Sequence, residues 1–260
     1  MNKKIIASVA LAMALVGAAS ATTYKWTWNS ATHVNGNQAG GGDLWYSAGG
    51  GGIKTITSEY NTANKNLKYE VNFSSQQTNG YWLALSQGDN PKGHAGELAL
   101  FYFDASQSAP VLLAYNYNGV NGDTSHYDGS QAAGTQAPDL ILSSKTTTNW
   151  INQLQVINNI DGTRTMKFDI DATAINNHVP LYPGNTPWEG AQFGNKMGVW
   201  FHQVKGLSTS YNSNGGLNTW SHQGAGYLDG SNLQTVPEPM TMTALALGLA
   251  GVARRRRNSK

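Results

Sequence analysis

Apolar and polar residues alternate with period two along several short stretches of this chain. In LKYEVNF, Leu67, Tyr69, Val71 and Phe73 fall on one face while Lys68, Glu70 and Asn72 fall on the other, the pattern of a half-buried strand. RTMKFDID repeats it, with Met166, Phe168 and Ile170 opposite Thr165, Lys167, Asp169 and Asp171. Asp161-Gly162 is placed to turn that strand back from the preceding WINQLQVINNI. Further strands are predicted over 24–28, 81–86, 98–103, 111–117 and 197–204. None of these segments carries a 3.6-residue apolar stripe, so helices are expected to be few.

Glycine paired with Asn or Asp punctuates the chain at Asn35-Gly36, Asn79-Gly80, Asn118-Gly119, Asn121-Gly122, Asp128-Gly129, Asp161-Gly162, Asn214-Gly215 and Asp229-Gly230. Such pairs favour tight hairpin turns. Short strands between turn signals predict an all-β fold, an antiparallel two-sheet β-sandwich. The Gly-rich stretch GGGDLWYSAGGGG, residues 40–52, is expected to be a long flexible loop. A phosphate-cradling loop would be followed by a helix and a Lys-Ser or Lys-Thr pair, whereas IKTITSEY reads as a strand.

The two ends have a different character. Asn2-Lys3-Lys4, an apolar run from Ile5 to Ala18 and the triplet Ala19-Ser20-Ala21 have the three-part layout of a secretory signal peptide, which predicts removal of residues 1–21 by signal peptidase. At the other end, Pro237-Glu238-Pro239 precedes an apolar run from Met240 to Ala253 and the cluster Arg254, Arg255, Arg256 and Arg257. That run would span about 21 Å as a helix at ~1.5 Å per residue, short of a hydrocarbon core of ~30 Å. Membrane residence through it is therefore expected to be transient, with the arginines on the cytoplasmic side. Residues 22–235 are expected to form one β-sandwich domain, and 236–260 a separate signal.

Setting both ends aside reverses the charge. Residues 22–236 hold 10 Lys and Arg against 14 Asp and Glu, a net of −4, although the whole chain has a pI near 8.7. No basic stripe remains of the kind that nucleic-acid binding requires. The absence of cysteine excludes a disulfide framework, thiolate catalysis and Cys-ligated metals.

The C-terminal triplet, apolar run and arginine cluster resemble the PEP-CTERM sorting signal of exported Gram-negative proteins. The resemblance implies recognition by an exosortase, a membrane-embedded cysteine protease, through an inner-membrane intermediate, then release or attachment at the cell surface. Such signals often occur in bacteria that make extracellular polysaccharide. The strand succession of the body, ending in GYLDGSNLQTV just before the signal, resembles concanavalin-like jelly-roll domains.

Several constellations bear on chemistry. Asp169 and Asp171 share a strand face at about 6.6 Å, from ~3.3 Å of rise per residue, a separation suited to Ca²⁺ or to glycoside hydrolysis. Laminarinase-like jelly-roll glycosidases carry Glu-x-Asp-x-x-Glu on the catalytic strand, whereas here the stretch reads Asp169-Ile170-Asp171-Ala172-Thr173-Ala174. The departure argues against an enzyme and leaves two solvated acids on the outer face of a strand, or a Ca²⁺ site, as the alternatives. The six histidines, His33, His94, His126, His178, His202 and His222, lie at least 20 residues apart and show no zinc-site spacing. His202 shares a strand face with Trp200 and is expected to be packed. Tyr24, Trp26 and Trp28 form one stripe, expected to fill the core.

Trp45, Tyr46, Tyr127, Trp188, Tyr211 and Trp220 instead lie beside Asn, Asp and Gly in segments that read as loops. An indole face stacks on the C–H face of a sugar while nearby amides and carboxylates fix its hydroxyls, and residues 22–236 supply 24 asparagines for that purpose. The expectation is a surface-sorted β-sandwich that contacts extracellular polysaccharide without catalysis. A structural matrix protein without a small ligand is the second reading, and a glycoside hydrolase or lyase with an atypical acid pair the third.

Overall fold

The computed structural model describes residues 22–31, 44–46, 48–87, 97–117, 139–180, 188–230 and 234–235. Two β-sheets face each other. The smaller runs β1 (Thr23–Asn29), β3 (Ile53–Asn61), β4 (Asn66–Phe73), β10 (Arg164–Asp171) and β9 (Ile151–Asn158) in spatial order, antiparallel throughout. The larger runs β2 (Leu44–Tyr46), β15 (Gly224–Gly230), β12 (Lys196–Lys205), β5 (Thr78–Ser86), β6 (Glu97–Asp104), β7 (Val111–Tyr117) and β8 (Leu140–Ser143). Two short strands join it off that path, β11 (Trp188–Gly190) parallel to β6 and β16 (Gln234–Thr235) antiparallel to β12. The fold is thus the expected sandwich, with a single described α-helix, α1, at Thr173–Asn176.

Alternation on β4 and β10 comes out as read: Leu67, Tyr69, Val71, Phe73, Met166, Phe168 and Ile170 are buried between the sheets. Their register pairs Phe168 with Tyr69, and the two rings stack at 5.8 Å. Aromatic contacts then cross the interior. Phe168 meets Phe101 of β6 at 5.5 Å, and Phe73 of β4 meets Phe201 of β12 at 6.2 Å. Burying such rings supplies most of the cohesion of a core that no disulfide assists. Trp26 and Trp28 join this core as expected.

Asp161-Gly162 turns β9 into β10. The Asp161 carboxylate accepts from the Thr163 amide at 3.1 Å and the Thr163 hydroxyl at 2.6 Å, which holds it below the usual carboxylate range. Asn79-Gly80, by contrast, lies inside β5 and makes no turn. Here glycine serves close approach, since a Cβ at Gly80 would sit 2.4 Å from Leu207 Cδ2. The Gly-rich stretch also departs from the flexible-loop expectation. Leu44–Tyr46 is edge strand β2, and Gly50 is fitted so tightly against β12 that a Cβ there would meet the Gln203 carbonyl oxygen at 2.2 Å. Close packing, not mobility, selects glycine at that position.

Candidate functional site

The outward face of the small sheet is polar. Lys25, Glu59, Lys68 and Asp169 face one another across β1, β3, β4 and β10 in a ladder of ion pairs at 2.8, 3.6 and 3.8 Å. Asp169 also accepts from the side-chain amides of Asn66 at 2.5 Å and Asn152 at 2.8 Å. Asp171 is exposed and accepts from the Thr173 amide at 2.9 Å, at the start of α1. The carboxylate of Asp169 thus has cationic and amide partners, and among the described residues no three His, Cys, Asp or Glu side chains gather as a metal site would require.

The outward face of the large sheet is apolar and aromatic. Strand β12 is buried from Met197 to Val204 without a break, because alternate residues serve two interiors. Val199 and Phe201 point to the small sheet, while Trp200 and Val204 belong to a second cluster on the opposite face. Register lines up Tyr227, His202, Trp82, Tyr102 and Leu113 across five strands of that face.

A hairpin of β13 (Ser208–Tyr211) and β14 (Leu217–Ser221) folds over part of this cluster. It is fastened by polar groups of the sheet beneath. Asp104, wholly buried at the end of β6, accepts at Oδ2 from the Tyr211 hydroxyl at 2.5 Å and the Thr209 hydroxyl at 2.7 Å. Its Oδ1 accepts from the Ser106 amide and hydroxyl at 2.7 and 2.6 Å. The Leu217 amide donates to the Tyr115 hydroxyl at 2.9 Å, and the Ser143 hydroxyl donates to the Gly215 carbonyl at 2.8 Å. Burial pushes the Tyr115 phenol up to about 12, the Leu217 amide opposing, and pushes Tyr102 and Tyr211 above their ordinary value, with the Asp104 carboxylate adding to both.

Beside the hairpin the face is less deeply covered. His202 stacks on Tyr227 at 4.2 Å and meets Trp200, Trp220 and His222 edge-on at 5.8 Å each. Trp220, half-buried on β14, lies 4.7 Å from His222 and 6.2 Å from Trp82. His222 is exposed, and its partial desolvation lowers the imidazole below its ordinary value. The result is a rim of flat rings, a surface able to stack on a sugar or another planar apolar face.

The candidates that read as loop residues prove to be strand residues wherever they are described. Tyr211 and Trp220 sit on the two strands of the hairpin, and Trp45 and Tyr46 lie on β2, opposite Asp229 and Leu228 of β15. Trp188 is on β11, away from this rim. Its indole N–H donates to the Asn176 carbonyl at 3.3 Å and its ring packs on the core beside His178. Tyr127 lies outside the described residues, as do His33, His94, His126, residues 1–21, Pro237, Glu238, Pro239 and Arg254 to Arg257. Short polar flanks made these aromatics look like loops, but a three- to five-residue strand needs only one apolar row. Trp82, Trp200, His202, His222 and Tyr227 were missed as a group. The available signal was Trp200-x-His202 on an unbroken buried strand, which marks a sheet covered on both faces.

Comparison with known proteins bears chiefly on the C-terminal segment. Residues 235–257 match the PEP-CTERM protein-sorting motif. The chain therefore carries the signal for exosortase processing and export to the cell surface of Gram-negative bacteria. No curated protein matches the chain. A solved structure described as "pH-induced modulation of Streptococcus parasanguinis adhesion by Fap1 fimbriae" aligns over 82% of this chain and 98% of its own, at 14% identity and a TM-score of 0.25. No helix among the described residues is long and apolar enough to cross a membrane.

Proposed function

We propose that this exported, surface-sorted β-sandwich contacts extracellular carbohydrate without catalysis, through the aromatic and imidazole rim beside the β13–β14 hairpin. The observation that carries the reading is the grouping of half-buried Trp220 and Tyr227 with exposed His222 on one side of an otherwise closed apolar face. Polysaccharide contact at such a rim takes its energy from C–H stacking on the rings, and the exposed His222 imidazole orients the hydroxyls. Trp220, Tyr227 and His202 stand on hydrogen-bonded strands, an arrangement that limits the ordering entropy lost on binding.

A pull-down on a polysaccharide panel, including the producing cell's own matrix polymer, tests this with the purified protein, with and without Ca²⁺. Retention that falls at least tenfold in Trp220→Ala supports the rim. Trp188→Ala is the control, because that indole packs on the core rather than the rim. Loss of retention only when Ca²⁺ is withdrawn would move attention to Asp169 and Asp171. Absence of binding to every polymer would favour a structural matrix role without a small ligand.

A further inference from the structure

The attachment of the hairpin contains more than hydrogen bonds need. Thr209 on β13 donates its hydroxyl to the buried Asp104 carboxylate at 2.7 Å. The same hydroxyl oxygen accepts from the side-chain amide of Gln107, in the connection between β6 and β7, whose Nε2 lies 3.0 Å away. The Gln107 carbonyl carbon is one covalent bond from that nitrogen. The hydroxyl is therefore bonded both to a carboxylate able to take its proton, as an activated nucleophile is, and to the amide group whose carbon it would attack. The two reacting residues lie 102 positions apart in sequence, so the fold alone assembles them, and held reactants gain the rate advantage of an intramolecular reaction.

We propose that Thr209 and Gln107 become joined by an intramolecular ester. Thr209 Oγ1 attacks Gln107 Cδ as Asp104 Oδ2 takes the hydroxyl proton, and the Oγ1–Cδ bond forms. The tetrahedral intermediate collapses with cleavage of Cδ–Nε2, the nitrogen takes the proton back from Asp104, and ammonia leaves. The carboxylate ends as it began, and no oxidant, metal or co-reactant enters. The Tyr211 phenol, bonded to the same Asp104 oxygen at 2.5 Å, fixes the carboxylate against the hydroxyl. Gln107 is half-exposed, which gives ammonia a way out. The product is a covalent tie between the hairpin and the sheet it covers, in a chain that has no cysteine to make one. It is independent of whether the neighbouring rim binds carbohydrate.

Mass spectrometry of the purified, denatured protein decides it. The expected mass is below that of the processed sequence by one ammonia, about 17 Da. Tryptic digestion should yield one cross-linked species joining peptide 93–145 to the peptide that begins at Gly206, and dilute alkali should separate them. Thr209→Ser should keep the deficit; Thr209→Val and Gln107→Leu should abolish it. A protein at its full mass overturns the proposal. So does a deficit that survives in Thr209→Val, which would trace to a cyclised Asn-Gly pair instead. The peptide measurement is made on the unsubstituted protein, so a poorly folding variant does not obscure the answer.

Discussion

The two outward faces of this sandwich rest on sheets of the same kind and have opposite chemistry. On the small sheet, Lys25, Glu59, Lys68 and Asp169 form a solvated ladder over a buried row that includes Tyr69 and Phe168. On the large sheet, Trp82, Tyr102, Tyr115 and Trp200 form a second apolar interior under the β13–β14 hairpin. The difference teaches where specificity resides. The ladder could lose a rung with little effect, because exposed ion pairs are screened and hold flexible side chains. The hairpin depends on a few buried polar contacts, each of which leaves an unsatisfied group if its partner is removed.

Four experiments press on that contrast. Asp104→Ala takes away an acceptor used four times and strands the Tyr211 and Thr209 hydroxyls, so a loss of about 3 kcal/mol is expected in urea unfolding; a loss under about 1 kcal/mol would mean that packing alone holds the hairpin. Alkali should act on the same face next. Tyr115 is raised to about 12 by burial, so its folded form retains the proton better than the unfolded form. Its contribution is complete below the ordinary phenol value near 10 and is lost as pH rises through about 12. Phenolate absorbance followed alongside circular dichroism should show that step coinciding with loss of structure, and Tyr115→Phe should remove it. At neutral pH the same substitution removes the acceptor for the Leu217 amide and is expected to cost about 1 kcal/mol. Smallest of all, Lys25→Ala should change stability by no more than about 0.5 kcal/mol. The Lys25 side chain is 67% exposed at its 2.8 Å pair with Glu59; an effect as large as that of Asp104→Ala would erase the distinction between the faces.

How much was legible in the sequence follows the same division. Strands β4 and β10 announce themselves because one of their faces meets water, so Leu67 to Phe73 and Met166 to Ile170 alternate cleanly. β12 shows no alternation, since both of its faces are covered, and the mixed run Trp200-Phe201-His202-Gln203 hid the sidedness of Trp200 and His202. His202 and His222 looked unrelated at a separation of 20 residues, yet return of the chain through the hairpin brings their rings to 5.8 Å. The Asp104, Gln107 and Thr209 grouping has no local signature at all. Nothing in DASQ or STSY marks a meeting that only the packing of a hairpin on a sheet creates. Asn79-Gly80 fails for a related reason, as Leu207 claims the space of a side chain and a turn signal becomes a strand residue.

Strand β16 gives the sorting signal a mechanical setting. The motif begins at residue 235, and Gln234–Thr235 is already paired with Lys196 and Met197 at the start of β12. Strand pairing thus extends to the first residue of the motif. Any pull on that segment enters the molecule at one end of a strand that also pairs with β5 and β15. The first pairing that such a pull meets is the two-residue ladder of β16 on β12.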